Sequence, residues 1–364
     1  MIAYDFAIVG AGIAGASLGA ELAEGGARVL ILEAEDMPGY HSTGRSAAFW
    51  EECYGGPQIV PLTLASGDYL RDGGFLTPRG ALYIGREEDT KLLDAFEERF
   101  GPTGAAFERL GRSALGARLP GLRPQWSAAI WEPGCADIDV AALHQHYLAR
   151  AAKAGARLVC RARVTQAKRR SGGWTLNAQE TRFAASTLVN AAGAWADELA
   201  RLAGAQPLGI APLRRTVVQV RLAHPPPADL PLTLDIGGQF YFKPEAGRLW
   251  LSPHDETPSQ PCDAAPEELA VAQAIARLET VVDWRIAGVE RRWAGLRSFA
   301  PDRLPVYGPD PATEGFAWFA GQGGYGIQTS PAAARLAAQV LLGRGPDAMT
   351  ARLDPALYSP ARFR

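Results

Sequence analysis

The feature that most constrains this chain is the order of its first thirty-three residues. YDFAIV (4–9) is a short apolar run, GAGIAG (10–15) a glycine turn, ASLGAELAEGG (16–26) an Ala-rich helical stretch and RVLILE (28–33) a second apolar run ending on an acid. Strand, glycine turn, helix, strand and acid together predict a βαβ unit built around a dinucleotide. Gly10 permits the tight turn, Gly12 lets a pyrophosphate approach the backbone, and Gly15 lets the helix pack on the sheet. The helix start offers unpaired N–H groups and a partial positive potential to phosphates. Glu33, 23 residues beyond Gly10, can accept from both ribose hydroxyls and would repel a 2′-phosphate. The competing reading is a glycine-rich turn that serves packing alone.

That fingerprint does not choose between nicotinamide and flavin nucleotides. The segment GYHSTGRSAAFW (39–50) adds Ser42, Thr43, Arg45 and Ser46 in one donor-rich loop, which suits an extended, tightly held flavin nucleotide; a plain N-capped loop is the alternative. Two more glycine-rich turns follow predicted strands, at 192–193 and 321–326. The last, GQGGYGIQTSP, can bring backbone N–H groups to a flavin ring, with a helix starting at 329–331 whose field favours negative charge there.

Along the chain, helices are expected near 57–71, 87–100, 138–155, 266–280 and after 329, and strands at 80–85, 156–166, 174–178 and across 213–251. Residues 101–134 read as connections and 291–308 as short extended pieces. The fold class is α/β: a discontinuous Rossmann-like cofactor domain from 1–79, 138–210 and 296–364, with a mixed α+β substrate domain containing a strand-rich sheet from 80–137 and 211–295.

With 37 basic and 39 acidic residues, the net charge of -2 argues against a general nucleic-acid binder. The four cysteines form no CxxC and no histidines cluster with them, so neither a metal site nor a disulfide scaffold is expected. The opening lacks a basic region and a cleavage site, and no run reaches membrane-spanning length. A cytoplasmic location is expected, with peripheral membrane contact left open.

Arg297, within WAGLRSF, is the leading substrate-binding candidate, because an arginine among Trp293, Leu296 and Phe299 needs an anionic partner and its fork suits a carboxylate. Tyr241, in the strand QFYFKPE, and Arg215, heading RRTVVQV, are further candidates; core packing and an edge-strand role compete with them.

Taken together, GAGIAGAS (10–17), PGYHSTGRSAA (38–48), ADID with LHQ (136–145), LVNAAGAW (188–195), WAGLRSF (293–299) and GQGGYGIQTS (321–330) resemble the D-amino-acid oxidase-like flavoprotein superfamily, most of all its D-arginine dehydrogenase branch. The resemblance implies noncovalent FAD between two domains. Gly10, Gly12, Gly15 and Glu33 match its nucleotide positions, and Thr43, Arg45, Ser46 and Ala47 its cofactor loop. Gly324, Ile327, Gln328 and Thr329 match residues near the ring, and Val164 and Gly193 complete the cofactor set. Arg297, Tyr241, Arg215 and Tyr54 match the catalytic group, with Phe49, Glu51, Ala81, Gly324 and Gln328 around the substrate. Phe49, Glu51 and Ala81 depart from the D-arginine pattern, so the side chain preferred is left open; Glu51 is either a cation-binding group or a solvent-facing carboxylate.

The implied reaction is oxidative deamination of a D-amino acid by hydride transfer from Cα to flavin N5, followed by hydrolysis of the imine to a 2-oxo acid and ammonia. Alternatives are oxidation of glycine, sarcosine, proline or L-amino acids, a 2-hydroxy-acid dehydrogenase using His41 as base, and a non-catalytic flavin-binding subunit. The electron acceptor (oxygen, a quinone or another carrier) and the oligomeric state stay open.

Overall fold

The computed structural model describes residues 3–170 and 172–363. β1 (Ala3–Val9), α1 (Ile13–Glu24) and β2 (Val29–Leu32) form as the opening pattern requires. β1 and β2 are parallel, with Phe6 beside Val29 and Val9 beside Leu32. All of β2 is buried, as expected of a strand covered on both faces. α1 is rich in small residues for a packing reason: it lies against the helices Val140–Lys153 and Ser330–Leu342 as well as the sheet. A Cβ on Gly15 would stand 1.8 Å from the Gly10 carbonyl oxygen, and one on Gly19 2.6 Å from Ile31 Cδ1.

The parallel core runs Arg157–Val159, β2, β1, Thr181–Asn190, Phe316–Ala320. Its strands come from the start, middle and end of the chain, which makes the Rossmann-like unit discontinuous. Thr181–Asn190 serves two partners on one edge. Its first half pairs antiparallel with Trp174–Ala178, and Leu188–Asn190 pair parallel with Phe316–Trp318.

The second sheet has ten strands and centres on the antiparallel pairing of Ala211–Leu222 with Ile286–Phe299. Helix Glu268–Val281 packs on it, so this half is mixed α+β. Two expectations change here. Residues 101–134 are not merely connections: they hold strand Glu108–Gly111, helix Arg112–Arg118 and strand Trp126–Glu132. Residues 291–299 belong to one 14-residue strand, because a long partner pairs along most of its length. Leu232–Asp235, within the strand-rich 213–251 stretch, is a strand beside Ala81–Ile84. Tyr241–Glu245 and Arg248–Ser252 form a hairpin whose two turn residues, Ala246 and Gly247, have φ of 48° and 74°, the sign that tight hairpin turns need.

Gln322–Gly323, just beyond the Phe316–Ala320 strand, pair with Ser298–Phe299. The last glycine loop therefore joins the two sheets. Among the described residues no helix is long and apolar enough to cross a membrane.

Candidate active site

A cavity of about 510 Å³ lies along the carboxyl ends of the parallel strands, where open α/β sheets bind ligands. The turns at 10–12, 191–193 and 322–326 all line it, as does Glu33.

At the nucleotide end, Gly10 has a φ of 106°, and a Cβ there would meet the Ala191 carbonyl oxygen at 2.3 Å. Gly12 faces the cavity; the one atom within reach of a Cβ on it is Thr43 Oγ1, at 3.1 Å. Thr43 Oγ1 accepts the Ile13 N–H at 2.9 Å and so caps the start of α1. Glu33 Oε2 accepts from Ala11 N–H at 2.8 Å and Oε1 from Glu35 N–H at 3.0 Å. The backbone thus fixes this carboxylate and leaves lone pairs for a ligand. Val164, Gly193, Ser46 and Ala47 line the same cavity. This cradle has the shape and donors that FAD needs: Gly12 and the α1 N-terminus could meet phosphates, and Glu33 a ribose.

Several predicted residues are placed differently. Arg45 touches the cavity, but its guanidinium donates to the carbonyls of Ala264 and Ala294 and pairs with Asp263. Thr329 sits behind the wall, its hydroxyl donating to the Tyr325 carbonyl. Ala81, expected in the substrate pocket, is fully buried and packs with Cys135, Leu232 and Tyr241 instead. His41 bonds to Glu35 at 3.1 Å and packs on Trp195.

The substrate end is assembled by strand register. Arg215 lies opposite Gly295, and Arg297 opposite Leu213. In an antiparallel pair this puts both arginines on one face as diagonal neighbours. Arg297 Nη1 donates to Tyr54 Oη at 3.1 Å, and Nη2 to Glu256 Oε1 at 2.7 Å. Arg215 Nε donates to the Asp255 carbonyl at 2.9 Å. Among the described residues Arg215 Nη2 and Arg297 Nε are buried without a hydrogen bond, Arg215 Nη2 lying 3.7 Å from Glu256 Oε1. Tyr241 is buried, lies 6.0 Å from the Arg215 guanidinium and meets Phe49 edge to face. Gly324 is required by close approach: a Cβ there would stand 2.3 Å from Tyr54 Oη and 3.1 Å from Arg297 Nη1.

Electrostatics separates the two arginines. Burial and the like charge of Arg297 push Arg215 down to about 10. Burial also opposes the charge of Arg297, but Tyr54 and Glu256 more than offset it, and its pKa is raised. Burial, then the charge of Arg215, lowers His254 to about 3, so that ring is neutral.

Sequence reasoning missed the loop that carries His254, Asp255 and Glu256. Glu256 accepts from Arg297 and, at 2.8 Å, from Arg303. Burial opposes its ionisation, yet its arginine contacts hold its pKa below the ordinary carboxylate value. The one local signal is PHDE (253–256), and His254 there adopts a φ of 57°, unusual for a non-glycine residue. Glu51, expected in the substrate pocket with a solvent-facing carboxylate as the alternative, is 1% exposed, lines the cavity and has an Oε1 without a hydrogen bond among the described residues. Burial, then the Glu132 carboxyl, raises its pKa well above the ordinary value.

The family described as "FAD dependent oxidoreductase" matches residues 5–340. Glycine oxidase from Pseudomonas aeruginosa is 25% identical over 380 residues, covering 97% of this chain and 98% of that one. Glycine oxidase from Geobacillus kaustophilus is 30% identical over 356 residues, 93% of each chain. A crystal structure of the Geobacillus kaustophilus glycine oxidase matches with a TM-score of 0.84 at 26% identity, over 99% of this chain and 98% of that one. The L-proline dehydrogenase structure from P. horikoshii matches with a TM-score of 0.86 at 20% identity, over 99% and 98% of the chains.

Proposed function

This chain belongs to the FAD dependent oxidoreductase family, and on that premise we propose that it oxidises the amine of a small amino acid of the glycine, sarcosine or proline type. The observation that carries this reading is the pair of buried arginine donors that make no hydrogen bond among the described residues, Arg215 Nη2 and Arg297 Nε, in the same cavity as the dinucleotide cradle. Arg215 Nη2 has only a 3.7 Å ion pair with Glu256; buried guanidinium donors left without hydrogen bonds are costly, and a substrate carboxylate supplies them.

The Gly10–Gly12 turn, Thr43, Glu33 and the 322–328 loop would hold FAD noncovalently, and FAD would supply the two-electron acceptor. The protein's own work is orientation. Arg297 and Arg215 clamp the carboxylate, and Tyr54 fixes the Arg297 fork. Tyr241 and Phe49 wall the substrate off from water. Similarity to glycine oxidases supports the small-substrate reading. The D-arginine likeness weakens, because Ala81 does not reach the cavity. A D-amino acid with an apolar side chain is the second reading, favoured by the Phe49–Tyr241 pair and by Leu234 on the wall.

Anaerobic mixing of the holoenzyme with glycine, sarcosine, proline, D- and L-alanine and lactate tests this directly. Bleaching of the flavin absorbance by glycine, sarcosine or proline is the expected result. Bleaching by lactate alone, or by nothing, defeats the proposal.

A further inference from the structure

The arginine pair accounts for the carboxylate of an amino acid and leaves its amine without a partner. An amino acid arrives as a zwitterion, and its ammonium must lose a proton before the nitrogen lone pair can take part in oxidation. The cavity holds one carboxyl suited to this. Glu33 is fixed by backbone N–H groups, Glu35 by His41, and Glu198, also on the lining, is exposed to solvent. Glu51 is fully enclosed, and its Oε1 has no hydrogen-bond partner.

Its position is fixed from behind. The Glu51 N–H donates to Gln328 Oε1 at 3.3 Å, and the Glu51 carbonyl accepts from Gln328 Nε2 at 3.0 Å. Gln328 is itself anchored to Thr63 Oγ1 at 2.8 Å. Glu51 also shares a turn with Tyr54, whose N–H donates to the Glu51 carbonyl and whose hydroxyl touches Arg297. One tight turn therefore carries both the free carboxyl and the partner of the carboxylate clamp.

Resting on the function proposed above, we propose that Glu51 receives the substrate's amine and takes the proton that the ammonium must shed. The N–H bond breaks, an O–H bond forms on Glu51, and nitrogen keeps the electron pair. The groups around Glu51 favour a proton on it. Glu132 faces it from the strand Trp126–Glu132, Cys53 from its own turn, and Cys135 from the following loop. Glu132 is fully buried, with its oxygens on the N–H groups of Glu52 and Cys53. On the cavity side stand Tyr54, Tyr241, His254, Arg215 and Arg297.

The productive complex then holds one proton between amine and carboxyl. Wild-type kcat/KM, measured on the holoenzyme with whichever amino acid bleaches it, is expected to rise with pH and fall again above the ionisation of the free substrate ammonium. Glu51→Gln should lower kcat/KM near neutrality by about 10²-fold and lose the falling limb, so the two enzymes converge at alkaline pH. A fall caused by Arg215 losing its proton would persist in the variant. Glu51→Asp should restore the falling limb in part. Glu51→Gln should also keep its FAD and its affinity for acetate, which has a carboxylate but no amine, read from the flavin absorbance. An active Glu51→Gln enzyme with the wild-type pH profile, or one that loses acetate binding, overturns this inference alone. Failure of every amino acid to bleach the wild type overturns it together with the function it rests on.

Discussion

The two ends of the cavity are built in different ways. The nucleotide end is a local object. Gly10, Gly12, α1 and Glu33, its core, lie within one βαβ unit, with Thr43 capping α1 from outside it. The substrate end has no local core. Arg215, Tyr241, Arg297, Tyr54 and Glu51 sit on four separate segments, and strand register brings them together. The first end depends on backbone shape and the second on charges assembled at a distance, so the two should fail differently when altered.

The largest effect should come from the local end. Gly10→Ala places a Cβ against the Ala191 carbonyl oxygen at a positive φ, a strain of about 3 kcal/mol or more. FAD content and thermal stability should fall together; full occupancy in Gly10→Ala would break the contrast. Arg297→Met should do the reverse. Flavin content and folding should hold while kcat/KM drops by about 10²- to 10³-fold, the scale of a lost charged hydrogen-bond pair. A parallel loss of flavin would show that the ends are not separable.

Stability should respond to pH through Glu51. Its folded pKa is raised by burial and Glu132, so the unfolded chain releases this proton at lower pH than the folded one. Stability therefore falls as pH rises from the ordinary carboxylate range through the folded pKa. Glu51→Gln removes that loss. Its Tm should exceed the wild-type value above about pH 5, with the gap widening up to the folded pKa by about a few degrees. Equal Tm values across that range would mean that Glu51 ionises freely. The smallest effect concerns Glu256, which competes for the arginines. Glu256→Gln should lower KM for the carboxylate substrate by about two- to fivefold, and a raised KM would show that Glu256 orders the clamp instead.

The glycine turns, the acid closing β2 and the helix after Thr329 were legible because each depends on neighbours a few residues away. Glu51 was placed at the substrate by the family resemblance alone. Nothing in WEEC tells which of two consecutive glutamates faces a ligand, since the answer depends on Gln328 and Glu132, more than two hundred and about eighty residues away respectively. Glu256 left only the PHDE cluster as a signal, because its role exists only once Arg297 and Arg303 surround it. Ala81 was placed by analogy, and the parallel pairing with Leu232–Asp235 turned it into the core.

The amino-acid order by itself determined that this chain builds a discontinuous α/β dinucleotide fold, because φ sign, helix starts and alternating burial are set within short windows. Only the tertiary structure decided what faces the bound substrate. A charge acquires its meaning from the partners that burial leaves it, and those partners come from strands that meet only when the sheets close.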